Sequence, residues 1–444
     1  MTDMALGADT LRPTAHYTAE KTWLNDPNGL LHYRGVYHLF FQNNPNGRTW
    51  GDMSWGHATS TDLVTWEHQP TAISYTDDEF VFSGSAVVDV RNTAGFAQPG
   101  ETALVAIYTS AATPDSGAQT QSQALAYSVD EGNTWVRYEG NPVLDIGSTE
   151  FRDPKVFWYG GEDDGHWVMV IVEATNHRVI VYTSNDLRAW TRASHFGPAH
   201  AVGGVWECPD LFPLRVEGTD ETKWVLIVSL NPGGIAGGSG TQFFIGDFDG
   251  ETFTAENLTD SAELEDYDWL DYGHDYYAAV SFNNAPDGRR LMIGWASNWL
   301  YARDTPVYPW RSAMSLVREV TLERRPDGAY AIAQRPILPE SGIEVHRFTA
   351  PKGERAVATV SNSDGERVTI TAGDGALVVD RSQAGENDFH PDYRPAAAAP
   401  LPEGDVDVTI VVDGPIIEVF ADGGRVVMTE QVFPARALDR FEVS

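Results

Sequence analysis

Three short segments place a carboxylate beside or close to a proline: Asn25-Asp26-Pro27, Arg152-Asp153-Pro154 and Glu207-Cys208-Pro209-Asp210. Cleavage of a glycosidic bond needs two carboxyl groups, one ionised and one protonated near neutral pH. Asp26 suits the attacking anion. Pro27 fixes its own φ and biases Asp26 toward extended backbone, and Asn28-Gly29 favours a tight turn directly after it. These neighbours would hold Asp26 stiffly at the mouth of a strand. Glu207 has a longer side chain flanked by Trp206 and Cys208. Partial burial in apolar surroundings favours a protonated carboxyl, which suits it to the acid. The guanidinium of Arg152 should keep Asp153 ionised, fit to bind sugar hydroxyls and to stabilise developing positive charge. On spacing alone, the same acids also fit a structural role, bonding to turn backbone. Asp210 and Asp275 read that way. Cys208 is the only cysteine, so no internal disulfide can form. It has no evident base partner and reads as a packing or tuning residue. The 12 histidines show no metal-ligand spacing, and no acidic loop has a full calcium pattern.

The elements that must carry these acids read as strands. Val36 to Phe41, Thr102 to Tyr108, His166 to Glu173, Lys223 to Leu230 and Arg290 to Trp295 are short apolar or β-branched runs bounded by Gly, Pro, Asn and Asp. Amphipathic helix patterns are scarce. An internal repeat sets the architecture. Ser60-Thr61-Asp62 leading to Trp66 resembles Ser184-Asn185-Asp186 leading to Trp190. Ser128-Val129-Asp130 leading to Trp135 and Asp247-Phe248-Asp249 leading to Phe253 complete the series. The aromatics lie roughly 55–70 residues apart, room for about four strands per repeat, which points to propeller blades. Asp26, Phe82 to Val88, Asp153, Pro209-Asp210 and Asp275 fall at the blade starts, giving five blades. Inner strands line a propeller's channel, so acids far apart in sequence could converge there. The propeller reads as residues 1–335. Pro336 and Pro339 punctuate the chain, and 340–444 reads as a β-sandwich with Ala396 to Pro402 as an exposed loop.

Bulk properties narrow the classes. The chain has 444 residues, enough for two domains, and 42% hydrophobic residues, enough for globular packing. Its net charge of −34 repels nucleic acid and anionic membranes. That charge also argues against a phosphorylated substrate unless a local basic pocket exists. Aromatics at 11% fit either β packing or a sugar-binding surface. Residues 1–11 show no basic region followed by an apolar core, so the sequence as it stands reads as cytoplasmic, or as secreted if a signal has been removed. No run approaches the roughly 20 apolar residues of a membrane span.

Together the segments resemble glycoside hydrolase family 32, the invertase, inulinase and levanase family. Trp23-Leu24-Asn25-Asp26-Pro27-Asn28-Gly29, Phe82-Ser83-Gly84-Ser85-Ala86, Phe151-Arg152-Asp153-Pro154 and Trp206-Glu207-Cys208-Pro209-Asp210 occur in the family's order. Asp271 to Ala278, Gly294-Trp295 and Ile417 to Gly423 follow. The resemblance implies an all-β, five-bladed propeller followed by a shortened β-sandwich, with no cofactor. It implies a retaining hydrolase acting on a fructoside, with Asp26 as nucleophile, Glu207 as acid/base and Asp153 as transition-state stabiliser. It places Asn25, Gln42, Trp50, Phe82, Ser85, Arg152 and Trp295 in the fructose subsite. Asn231-Pro232-Gly233-Gly234 and Ala296-Ser297-Asn298-Trp299 resemble the exo-acting branch, and Trp299 and Trp310 are candidates to stack on the next sugar. Fructosyl transfer on the same scaffold, and fructan binding without catalysis, are the competing readings.

Overall fold

The β-branched and aromatic runs become strands. The computed structural model describes residues 11–113, 119–325 and 327–444. Among the described residues, helix is limited to four short 3-10 turns. The leaderless reading of residues 1–11 falls almost wholly outside them.

Five consecutive four-stranded antiparallel sheets span 23–73, 79–137, 151–196, 205–255 and 277–336, each ordered from inner to outer strand as the chain runs. The repeated Ser-x-Asp segments are the hairpins between the third and fourth strands. In the first, Asp62 accepts from the backbone N–H groups of Val64 (2.9 Å) and Thr65 (2.7 Å), closing the turn. Asp186 accepts equivalently from Arg188 (2.9 Å) and Ala189 (2.8 Å). The short acid thus substitutes for a strand partner where the chain reverses.

The inner strands are Trp23–Tyr33, Glu79–Asp89, Phe151–Tyr159, Val205–Arg215 and Tyr277–Ser281. Each has one hydrogen-bonded neighbour in its sheet and turns its other edge to the channel. Prolines are tolerated on such an edge, which explains Pro27, Pro154 and Pro209. Every inner strand also carries a register shift at the same level. The shifts fall between Leu24 and Pro27, Val81 and Gly84, Arg152 and Lys155, Glu207 and Asp210, and Tyr277 and Val280. A bulge inserts one residue, bends the strand and re-aims its side chains. Asp26 therefore lies within a bulged strand rather than at a strand mouth. Asn28-Gly29 makes no tight turn either; Gly29, at φ 56°, begins a second shift inside the same strand.

The ring closes between the first and fifth blades. Leu24 N–H donates to Arg311 O (3.2 Å), and His32 N–H to Asn283 O (2.9 Å). Two further sheets of four and five strands pack face to face as the sandwich, their inner faces supplied by residues such as Val360, Ile370, Val379, Ile410 and Val419. Ala396–Pro400 is a strand of this sandwich, not a loop, with Ala397 and Ala399 turned inward. The seam between propeller and sandwich combines apolar clusters, such as Tyr301 and Trp310 against Tyr393 and Phe433, with buried ion pairs. Arg318 donates to Asp271 (3.0 Å), Glu418 (3.0 Å) and Thr429 (2.7 Å). Arg381 meets Asp275 (2.7 Å) and Glu430 (2.9 Å). His16 meets Asp413 (2.8 Å) and Glu418 (3.2 Å), and Asp413 also accepts from the N–H groups of Thr14, Ala15 and His16.

Candidate active site

The five bulges give the inner strands equivalent positions, and these build the site row by row. The first bulge position supplies Arg152, Glu207 and Tyr277 on three successive blades, and they bond sideways. Arg152 Nε donates to Glu207 Oε1 at 3.0 Å, and the Tyr277 hydroxyl donates to Glu207 Oε2 in a very short hydrogen bond. Both oxygens of Glu207 are thereby fixed. The next position supplies Asp153, Cys208 and Ala278, all in the left-handed region at φ 66°, 47° and 53°. Non-glycine residues rarely adopt it, and its recurrence at one level marks backbone held for a purpose. Asp153 Oδ2 accepts the Cys208 backbone N–H at 2.9 Å. The third position supplies Asp26 and Ser83 on the first two blades, where Ser83 Oγ donates to Asp26 Oδ2 at 2.7 Å. Cys208 Sγ lies 3.6 Å from both Asp26 Oδ2 and Asp153 Oδ2, so the two aspartates flank one thiol. Asp26 Oδ1 is buried without a partner among the described residues.

Charge is unevenly matched here. Arg152 also binds Glu150 at 2.7 Å, so one guanidinium serves two glutamates, while Asp26 and Asp153 have no cation within 4.0 Å among the described residues. Burial first, and then the Glu207 charge, push Asp26 above the usual carboxylate range against the pull of Asn25 and Ser83. Burial and Glu207 push Asp153 up to about 7, with Arg152 pulling the other way. The expectation that Arg152 would simply hold Asp153 ionised is therefore corrected: its guanidinium faces Glu207 and Glu150. Burial and the surrounding acids also push the Cys208 thiol well up, leaving it a neutral packing group.

The acids open into a cavity of about 300 Å³, rimmed by Trp50, Phe82 and Trp299, with Asn25, Gln42 and Arg152 on its walls. Gln42 is held by the Val81 carbonyl (3.0 Å) and Asn25 by the Trp23 indole (2.7 Å). Beneath it, between Pro27, Asp153 and Cys208, the channel narrows to about 10 Å³. That is about the volume of one water probe, so the cavity is blind.

Two expected subsite residues lie elsewhere. Ser85 is past the bulge, where its hydroxyl accepts from Val156 N–H (2.9 Å) on the next blade; Ser83 takes the place in the cavity. Trp295 is fully buried behind the wall, against Trp23, Tyr277 and Trp299 (centroids 5.9, 6.4 and 4.9 Å). Trp310 is buried as well, leaving Trp299, half-buried at the cavity rim, as the stacking candidate of the pair. Sequence reasoning missed Ser83, Tyr277, Gln121 and Glu150. The signal for Tyr277 was its place in Asp275-Tyr276-Tyr277-Ala278, the fifth blade's counterpart of the acid segments.

Comparison with known proteins gives a consistent result. The glycosyl hydrolases family 32 N-terminal domain matches residues 16–336, and the glycosyl hydrolases family 32 C terminal domain matches residues 347–444. A levanase from Bacillus subtilis is 42% identical, covering 97% of this chain and 68% of that protein. An extracellular exo-inulinase from Aspergillus ficuum is 40% identical over 95% of this chain and 89% of its own length. The structure of a β-fructofuranosidase from Schwanniomyces occidentalis, complexed with fructosyl-erythritol, superimposes with a TM-score of 0.85 at 32% identity, covering all of this chain and 99% of that one.

Proposed function

The chain belongs to glycoside hydrolase family 32, and from that premise we propose that it is an exo-acting β-D-fructofuranosidase releasing terminal fructose, with retention, from sucrose and β-fructans. The observation that carries this reading is the arrangement of Asp26 and Glu207. Asp26 Oδ1 has no partner among the described residues, while Glu207 has both of its oxygens anchored. Asp26 Oδ1 attacks the anomeric carbon as the bond to the leaving oxygen breaks, and Glu207 gives that oxygen its proton. A water then loses a proton to Glu207 and attacks the fructosyl ester, freeing fructose and Asp26. Asp153 holds ring hydroxyls and faces the cationic transition state. A cavity of about 300 Å³ holding all three acids, with only a void of about 10 Å³ beneath it, takes a single terminal sugar and supports attack at chain ends.

We assign the chemistry to the propeller, 1–335, and a bracing role to the sandwich, 340–444. Every described residue lining the cavity comes from the first: Asn25, Asp26, Gln42, Trp50, Phe82, Ser83, Gln119, Gln121, Glu150, Arg152, Asp153, Glu207 and Trp299. The extracellular naming of the Aspergillus relative supports a secreted form. The deciding experiment follows the anomer first released from sucrose by NMR, using wild type and an azide-treated Glu207→Ala variant. Initial β-fructofuranose, and fructosyl azide of the same configuration from the variant, are expected. Initial α-product would overturn the retaining assignment.

A further inference from the structure

The central channel has a second mouth. Five residues beyond Asp153 and Glu207, roughly 16 Å along the same strands, lie Trp158 and Phe212. A separate cavity of about 380 Å³ opens there, within the roughly 300–1,000 Å³ of small-molecule sites. Phe157, Trp158, Trp167 and Trp224 wall it, and Lys155 and Asp210 close its inner end.

Its charge is opposite to that of the chain. In a protein of net charge −34, Arg91, Lys155 and Arg290 meet here with Asp210 as the one carboxylate. Arg91 lies over the Trp158 ring at 4.3 Å and Arg290 over Phe212 at 4.7 Å. Neither has an ion pair within 4.0 Å among the described residues. A guanidinium stacked by its face keeps its N–H edge for a planar or tetrahedral oxyanion. Arg290 uses Nη1 on Ser281 Oγ (3.1 Å), while its buried Nε has no partner among the described residues. Lys155 is fixed by Asp210 (3.1 Å) and the Ser281 carbonyl (2.5 Å). Asp210 Oδ1 is left without a partner among the described residues. Cations for an oxyanion, aromatic faces for a ring and a carboxylate for hydroxyls converge on one cavity.

We infer that this mouth binds a phosphorylated monosaccharide, its phosphate between Arg91 and Arg290 and its ring against the aromatic wall. The catalytic cavity, with three acids and Glu150 around Arg152, would repel the same ligand. The two mouths therefore sort sugars by charge.

Calorimetric titration of the full chain with fructose 6-phosphate tests this. One saturable site is expected, unaffected by saturating fructose. Arg91→Gln, at the exposed rim, should weaken it about tenfold, the ~1.4 kcal/mol of one charge-assisted contact, and leave sucrose turnover unchanged. Arg290→Gln should weaken it at least as much. Absence of saturable binding, competition by fructose, loss of binding in Asp26→Ala, or equal affinity for inorganic phosphate would each overturn the assignment.

Discussion

The catalytic cavity and the seam between propeller and sandwich are both built from carboxylates and arginines withdrawn from water. In the seam each of these acids has a cation: Asp271 and Glu418 share Arg318, Asp275 and Glu430 share Arg381, and His16 serves Asp413 and Glu418, while the His274 ring also hydrogen-bonds Glu430. Burial works against ionisation there, but the partners hold Asp413, Glu418 and Glu430 below the usual carboxylate range. Asp271 and Asp275 are still pushed up by burial. In the cavity one guanidinium faces a crowd of acids, and the two aspartates are pushed up. A paired buried charge fixes geometry; an unpaired one waits for a substrate to complete it. The seam is matched within the protein, whereas the acids of the site outnumber the cation that faces them.

Substitutions that separate activity from stability would break or sharpen that contrast. The largest effect is expected at the site. Asp26→Asn should lower kcat/KM on sucrose on the order of 10⁴-fold without lowering Tm. Asp153→Asn should be nearly inactive yet melt higher than wild type at pH 8. The sign follows from the raised carboxyl: the native state prefers the proton, so stability falls as pH rises from about 4 through about 7, and the amide escapes this loss. A parallel fall in Tm and activity in either variant would erase the distinction. At the seam the outcome should invert. Arg318→Met leaves Asp271 and Glu418 buried without their arginine and should cost about 3–5 kcal/mol in urea unfolding. Turnover per folded molecule should stay within about twofold.

His16 gives a pH signature of its own. Burial opposes its charge, yet Asp413 and Glu418 raise it to about 9. Its contribution is complete below about 6.5 and fades as pH climbs through about 9, a loss on the order of 3 kcal/mol. His16→Gln should flatten the alkaline side of the stability profile, and an unchanged profile would remove His16 from the seam's balance. The smallest effect belongs to Tyr277→Phe. Loss of one donor to the Glu207 carboxylate should lower kcat about tenfold, with Tm nearly constant.

Much of this was legible because the signals are local. The Ser-x-Asp hairpins, with Asp62 and Asp186 closing their turns, announced the blades. The acid segments with their prolines announced the channel edge. What escaped depends on register. Nothing in Phe82-Ser83-Gly84-Ser85 states that the strand slips by one residue before Gly84, which leaves Ser83 in the cavity and turns Ser85 to the neighbouring blade. The lateral row of Arg152, Glu207 and Tyr277 exists only once three bulges are aligned across blades. Trp295 has the composition of a sugar platform, but it is sealed behind Trp23 and Trp299, a fact of depth that spacing does not carry.

The joint between the first and fifth blades has a mechanical meaning. Each blade is woven from consecutive strands, and none lends a strand across the joint, so the propeller is a hoop whose two ends are held by a few backbone hydrogen bonds between the first and fifth blades. Asp26 stands on one side of the gap and Tyr277, which anchors Glu207, on the other. The sandwich works as the buckle. Thr14, Ala15 and His16 lead into the first blade and are pinned by Asp413, while Asp271 and Asp275 lead into the fifth and are pinned by Arg318 and Arg381. Slack in that buckle would widen the gap across which Asp26 and Glu207 must meet.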